Sequence, residues 1–489
     1  MNHKMLIEEI YIMKQAILEL KKHNIDLMNL VNTYVQSNYT HFEDNTLYYK
    51  SVSEGLMFLC HYKYGHKLIF NDHFEVFGTM LDVSRGAVFK VDYIKDLIRK
   101  KALMGVNELW LYMEDVYELP EYPHFGYMRG RYTQEELEDI VNYAEIFDVK
   151  VVPTIQTLGH MEQFLRWYKS EPFKDQSNVL LTKSEETFKL IDTMLKFMKK
   201  IFKHDKIHIG LDETWGFGFG HFYKKHGYVS PVDNFFDHLN HVNHLALKNG
   251  FKDVHIWSDM PYRLLSENDY YYDPNIIIDE STVKRIPDNV TLVYWDYYNR
   301  DAERVENMVK NHKAITDKVV FASGTWIWTR FNYDKKTTEE TAPVHIKAAI
   351  KHGVRAFILT QWMDDGAYGD HQSTLLGVYE MSLKALTDHE ICQEVYHFIT
   401  AESLEVSYNK SKINMLKMNS VGFMWDDPQY AVYLRNYTQN DLSKYEEHLE
   451  EMEKLIKQFE NDSIYAYEYH IVSANYYKLL GRKILINQY

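Results

Sequence analysis

Residues 206–216 read KIHIGLDETWG, an apolar run of strand length that closes on two adjacent carboxylates, Asp212 and Glu213. Side chains alternate between the faces of a strand. Ile207, Ile209 and Leu211 therefore share one aliphatic face, and His208, Gly210 and Asp212 share the other. A face of His, Gly and Asp is a poor core and a good floor for a polar pocket. Asp212 is the last residue in phase and Glu213 the first beyond it, so a bend at the strand end is expected to bring both toward that pocket. Two carboxylates there resist ionising together, because desolvation and a like-charged neighbour both raise the pKa of one of them. A carboxyl kept protonated near neutral pH can donate a proton to a leaving group, a role worth roughly 10²–10⁴-fold in rate. The expected division is Glu213 as acid and Asp212 as fixed anion.

Cleavage of a sugar linkage normally takes two carboxyls on opposite sides of the bond, about 5 Å or more apart. Neighbours on one strand end are badly placed for that. They suit a substrate that supplies its own nucleophile, as a 2-acetamido sugar does through its carbonyl oxygen. Asp212 would then orient the acetamido N–H and stabilise the positive oxazolinium-like ring.

The elements that must position this pair alternate along the chain. Strand-length apolar runs lie at 74–81, 107–113, 150–156, 206–212, 253–259, 290–296, 318–324 and 354–362. Helical patterns separate them, and YTQEELEDIVNYAEIF opens with Thr133 and Glu136 in capping-box spacing. Eight strand–helix units predict an α/β fold, a (β/α)8 barrel over residues 73–370. A doubly wound open sheet is the rival, but no Gly-rich phosphate loop follows the first strand. Residues 1–72 form a small N-terminal α/β domain in this reading; periodicity does not decide whether 45–72 is strand or helix. Residues 371–489 turn helical and form a C-terminal domain. Active sites of such barrels lie at the C-terminal strand ends, where Asp212 and Glu213 fall.

Composition narrows the partners. The 489 residues are 45% hydrophobic and 26% charged, an ordinary globular balance. Aromatics reach 15%, with 39 Tyr and 9 Trp, which suits a pocket that stacks on sugar-like ligands. A formal net charge of −15 and the lack of a basic patch argue against nucleic acid and membrane surfaces as partners. Cys60 and Cys392 stand far apart with no metal-type spacing, so reduced buried thiols are expected. The N-terminus is a poor secretory signal and no apolar run approaches the roughly 20 residues of a membrane span, so the cytoplasm is the expected compartment.

HIGLDE resembles the His-x-Gly-x-Asp-Glu signature of glycoside hydrolase family 20, the β-N-acetylhexosaminidases, with Leu211 where a second Gly is more common. MLDVSR resembles the family's first-strand Asp-x-x-Arg segment, which implies that Arg85 holds sugar hydroxyls, alone or while ion-paired with Asp82. TLGHMEQF resembles the loop carrying the family's pocket histidine, here His160. IWSDM resembles the fifth-strand Trp-x-Asp, here Trp257 and Asp259, and QWMDDG the end of the eighth strand, here Trp362 and Asp364, with Asp where Glu is more usual. YWDYYN and GTWIW would add aromatic walls through Trp295 and Trp326, and one of Tyr297 and Tyr298 would grip the acetamido oxygen. The resemblance, over about residues 74–370, implies an exo-acting retaining enzyme. Its substrate would be an oligosaccharide or glycoconjugate ending in N-acetylhexosamine, and it would need no cofactor or metal. The overall layout is similar to the compact bacterial branch, whose members are often homodimers. Two alternatives stand beside it: a metal-dependent barrel hydrolase, which lacks a His-x-His or His-Glu-x-x-His signature here, and a non-catalytic sugar-binding barrel, which would not need Glu213.

Overall fold

A computed structural model of the chain describes residues 3–266, 270–276, 278–364, 369–415, 424–427, 429–432, 434–435 and 441–488. After an N-terminal helix, His3–Lys22, strands β1 (Thr33–Gln36), β2 (His41–Glu43) and β3 (Thr46–Tyr49) form a small sheet in the order β1-β3-β2. The ambiguous stretch after residue 45 contains both structures. The alternating Thr-Leu-Tyr-Tyr of β3 ends at Tyr49, and two residues on, the Ser51 side chain accepts from the Glu54 N–H and caps the helix Val52–Lys63. Val52 to His61 are all buried, so this helix has no polar face and no readable period.

Eight parallel strands then close a barrel: β4 (Val76–Asp82), β5 (Glu108–Met113), β6 (Lys150–Ile155), β7 (Lys206–His208), β8 (Asp253–Trp257), β9 (Val290–Trp295), β10 (Val319–Gly324) and β11 (Ala356–Gln361). β11 returns to β4, with Ala356 opposite Val76. Outward residues such as Leu109, Leu111, Ile207 and Ile209 pack under the helices, while inward Met80, Trp110, Tyr112, Val152, Val320 and Ile358 fill the interior. Each fully buried large side chain of this kind is worth about 1.5–3 kcal/mol. The capping box of the helix Gln134–Glu145 forms as expected: Thr133 Oγ1 accepts from the Glu136 N–H at 3.1 Å and Glu136 accepts from the Thr133 N–H at 2.9 Å.

The helix Leu375–Leu386 packs against Val91–Ala102 and Lys335–Lys351, so the barrel's helix layer extends past residue 370. The C-terminal helices Leu442–Phe459 and Ala466–Gln488 build a second core from Tyr445, Leu449, Met452, Phe459, Val472 and Leu479. Phe331, from the loop after β10, belongs to that second core. Asn414 ties the same loop, accepting from the Phe331 N–H (3.2 Å) and donating to the carbonyls of Asn332 (2.7 Å) and Tyr333 (3.0 Å). Asn332 in turn donates to the buried Glu468 at 3.0 Å. Cys60 and Cys392 are buried free thiols, and among the described residues no helix is long and apolar enough to cross a membrane.

Candidate active site

β7 ends sooner than its apolar pattern suggests, at His208. Gly210 (φ 75°), Leu211 (φ 78°) and Glu213 (φ 49°) are left-handed, so the chain turns instead of continuing to alternate. Gly210 is required: a Cβ there would lie 2.0 Å from Gln156 Oε1 and 3.0 Å from the Ile155 carbonyl. Left-handed Leu and Glu are strained, and such strain persists where the surroundings over-determine it. Here both flanking strands hold the turn. From the β6 side, Thr157 Oγ1 donates to the Ile209 carbonyl (2.8 Å) and Gln156 Nε2 donates to Asp212 Oδ1 (2.9 Å). From the β8 side, Asp259 Oδ2 accepts the Glu213 N–H at 3.0 Å. His208 is buried between Trp110 and Trp257, its Nδ1 accepting the Gly210 N–H at 3.0 Å, which makes it scaffold.

The turn brings both carboxylates to one imidazole. His160 Nε2 lies 3.2 Å from Asp212 Oδ2 and 3.4 Å from Glu213 Oε2, and His160 is itself left-handed (φ 53°) in the loop after β6. Asp212 is buried, whereas the Glu213 side chain is 34% exposed. Burial alone would raise the Asp212 pKa, but the charge and hydrogen bond of His160, with Gln156 and Arg85, hold it below the ordinary value. Burial likewise opposes the charge on His160, and Asp212 and Glu213 overcome it, so its pKa lies well above the ordinary histidine value. A strongly raised carboxyl falls on Asp259, pushed up to about 8 by burial and then by the Asp212 charge.

Arg85 organises the opposite side. Its Nε donates to Glu114 Oε1 (3.2 Å), its Nη2 to Tyr112 Oη (3.2 Å) and its Nη1 to Asp364; Nη2 also lies 3.5 Å from His160 Nδ1. Asp82 is not its side-chain partner. Asp82 instead accepts the backbone N–H groups of Ser84 (3.0 Å), Arg85 (3.1 Å) and Met363 (3.0 Å), joining the ends of the first and last barrel strands. Burial pushes Glu114 up to about 7 despite Arg85, and raises Asp364 as well.

An inner cavity of about 80 Å³ reaches Asp212 and is walled by Trp257, Trp295, Tyr297, Trp328 and Trp362. It opens into a cleft of about 1030 Å³, where Arg85, His160, Glu213 and Asp364 meet Tyr298 and Trp326. Tyr297 stacks on Trp295 (centroids 5.4 Å) and stands edge-on to Trp328 (5.4 Å) and Trp362 (6.4 Å). Its hydroxyl is buried near the Trp362 and Thr360 side chains, whereas Tyr298 is 59% exposed at the rim. Asp259, expected to meet the sugar, lines neither cavity. β8 stops at Trp257 and the chain enters the helix Asp259–Arg263, which takes Asp259 out of strand phase and behind the wall, where it also accepts from Trp295 Nε1 at 3.3 Å. Asp365 and Gly366 of the QWMDDG motif lie outside the described residues. Sequence reasoning passed over Glu114, Tyr112 and Gln156. Glu114 had a visible signal, since Glu114–Asp115 is a second acidic pair at the end of a strand-like run.

The family model described as glycosyl hydrolase family 20, catalytic domain, matches residues 74–378. The chain belongs to this family. It is a glycoside hydrolase, and its relatives bear hexosaminidase names. It is similar to hexosaminidase D of Bos taurus, 22% identical over 346 residues, covering 66% of this chain and 92% of the relative. It is also similar to beta-hexosaminidase 3 of Arabidopsis thaliana, 30% identical over 175 residues, about a third (32%) of either chain. Among solved structures it shares its fold with a family 20 exo beta-N-acetylglucosaminidase from Vibrio harveyi (TM-score 0.56, 15% identity, 80% of this chain and 71% of that one). A beta-N-acetylhexosaminidase from Bacteroides fragilis gives the same TM-score of 0.56 at 15% identity, over 79% of this chain and 88% of that one. Within this family member, His160, Asp212 and Glu213 each offer a ligand atom within 4.8 Å of the others, a geometry that could hold a divalent ion. The Arg85 guanidinium, 3.5 Å from the other nitrogen of the same imidazole, opposes a second cation there.

Proposed function

We propose that this glycoside hydrolase is an exo-acting, retaining β-N-acetylhexosaminidase. It would remove terminal β-linked N-acetylglucosamine or N-acetylgalactosamine with the substrate's own 2-acetamido group as nucleophile. The observation that carries the reading is the convergence of Asp212 and Glu213 on a single imidazole nitrogen, at 3.2 and 3.4 Å. Two carboxyls so close on one side of a pocket have no room to flank a glycosidic bond, as acid–nucleophile or acid–base pairs must. They can serve one acid and one anion.

In the first half-reaction the acetamido carbonyl oxygen attacks C1, the C1–O bond breaks, and Glu213 delivers its proton to the departing oxygen. Asp212 accepts the acetamido N–H and faces the positive charge of the resulting ring. The Tyr297 hydroxyl, which lines the same inner cavity as Asp212, would be the donor to the acetamido oxygen. In the second half Glu213 takes a proton from water, which opens the ring at C1 from the face the aglycone left. Two inversions give retention. The interior below the pocket is filled by Trp110, His208 and Trp257, so a sugar chain has no way through and enters by its terminal residue. Trp362 and the Arg85–Asp364 pair suit a pyranose: the ring stacks while hydroxyls meet the charges.

The test is an aryl N-acetylglucosaminide assay. Glu213→Gln is expected to lose about 10²–10⁴-fold in kcat. Asp212→Asn should weaken a cyclic oxazoline analogue and slow N-acetyl substrates while leaving no gain on plain glucosides. Wild-type hydrolysis of glucosides at the N-acetyl rate, or full activity in Glu213→Gln, sinks the mechanism. A chelator should leave the rate unchanged; its loss would favour a metal-dependent hydrolase built on His160, Asp212 and Glu213.

A further inference from the structure

The reaction uses the inner cavity, yet the cleft above it is far larger, about 1030 Å³ against about 80 Å³. One wall of that cleft is a continuous set of contacts. Tyr298 stands edge-on to Trp326, with centroids 5.4 Å apart. The Arg330 guanidinium carbon lies 5.9 Å from the centre of the Trp326 ring, and Arg300 Nη1 donates to the Tyr298 carbonyl at 3.5 Å. Two arginines thus flank an aromatic pair whose outer member, Tyr298, is 59% exposed.

Both arginines are fixed by their other nitrogens. Arg300 Nε donates to Glu340 (2.8 Å) and Arg330 Nε to Asp334 (2.9 Å). Arg330 Nη1 also donates to the carbonyl (3.2 Å) and hydroxyl (3.1 Å) of Thr329. In each, Nη2 is without a hydrogen-bond partner among the described residues. Thr329 is left-handed (φ 57°), an outlier for a β-branched residue and of the kind found at ligand clamps. The chain carries a net charge of −15, yet four arginines line this cleft and none of its lysines does. Arg85 is engaged by Glu114 and Asp364, and Arg129 Nη1 by Asp115; of the four, Arg300 and Arg330 are the two that combine an open Nη2 with contact to the aromatic pair.

We propose that Tyr298, Arg300 and Arg330 form an acceptor-side subsite for a sugar that bears an anionic group, a carboxylate or a sulfate, on the leaving-group side of the scissile bond. The inference rests on the hexosaminidase reading and names its substrate class. Tyr298 stacks on the C–H face of the acceptor sugar, and the guanidinium amino groups bind the acidic oxygens, for which Arg has the matching planar fork. Glu340 and Asp334 already balance both charges, so the gain is directional hydrogen bonding and its size is moderate. Glu162, exposed at the cleft, repels an acidic group that is placed away from the arginines.

The experiment compares kcat/KM of the full chain on an aryl N-acetylglucosaminide, on neutral chitobiose, and on N-acetylglucosaminyl disaccharides whose second sugar is a uronic acid or a sulfated hexose. The acidic disaccharides are expected to exceed chitobiose about tenfold, with the preference shrinking at high salt. The uronate and sulfate arms show which group is taken. Arg300→Gln, whose side chain is 54% exposed, is expected to bring the acidic-to-neutral ratio near one while the aryl rate stays within about twofold. Arg330→Gln serves as the second variant, read by the same ratio. Equal rates on acidic and neutral disaccharides in the wild type, or an Arg300→Gln loss of equal size on every substrate, overturn the subsite alone. Failure of the wild type to cleave the aryl substrate overturns the hexosaminidase reading and this one with it.

Discussion

His160 holds together two carboxylates that burial and mutual repulsion would separate, and that role has a pH signature. Its folded pKa lies well above the ordinary 6.5, so the stability it contributes is present in full below about 6.5 and is lost as pH rises through the folded value. Asp212 has the opposite sign: its folded pKa is depressed, so its contribution is present above about 3.9 and fades as pH falls. The pair is therefore at full strength between these limits. His160→Gln is expected to lower Tm most between about pH 4.5 and 6.5, with the difference from wild type narrowing as the pH rises beyond about 6.5. Melting curves at stepped pH check this, and a gap that widens with rising pH would contradict it. At this scale the convergence of Asp212 and Glu213 on one pocket was readable from the sequence, because their types and adjacency are local facts. The Asp259 position was not. Its placement behind the wall follows from where β8 stops, and its two donors, the Glu213 N–H and the Trp295 indole, come from residues 46 and 36 positions away.

The element that matters most is the left-handed turn at residues 210–213. Apolar alternation marked a strand through residue 212, and Leu211 is indeed buried in the outer core, so the pattern shows which side chains go inside. It does not show the dihedrals that take them there, because a left-handed Leu or Glu looks like any other Leu or Glu in a sequence. Gly210→Ala is expected to cost about 2–4 kcal/mol, from positive φ and the clash with Gln156. It should also lower turnover, since Gln156 is the residue that holds Asp212 Oδ1. Denaturant titration and the aryl assay measure the two effects; a stable, fully active variant would show that the turn relaxes freely. The helices around the barrel were more legible. Caps such as Thr133 with Glu136, and polar faces turned to water, state their boundaries within a few residues.

For the whole molecule, the barrel was legible because strand-length runs recur between helical ones, each a short-range pattern. The docking of the C-terminal helices onto the loop after β10 was not, because it depends on Asn414, Glu468 and Phe331 meeting across long sequence separations. That loop carries Trp326 and Trp328, so the helical domain braces a pocket wall from outside the barrel. Asn414→Ala removes three hydrogen bonds from the loop backbone and is expected to raise KM roughly threefold to tenfold with kcat nearly unchanged. Steady-state kinetics on the aryl substrate decide it, and an unchanged KM would mean that the barrel holds the wall unaided. An outside brace also separates two kinds of inheritance. Drift among the C-terminal helices can shift the loop and with it the aromatic wall, while Asp212 and Glu213 take contacts from Gln156, His160 and Asp259, which lie outside that brace.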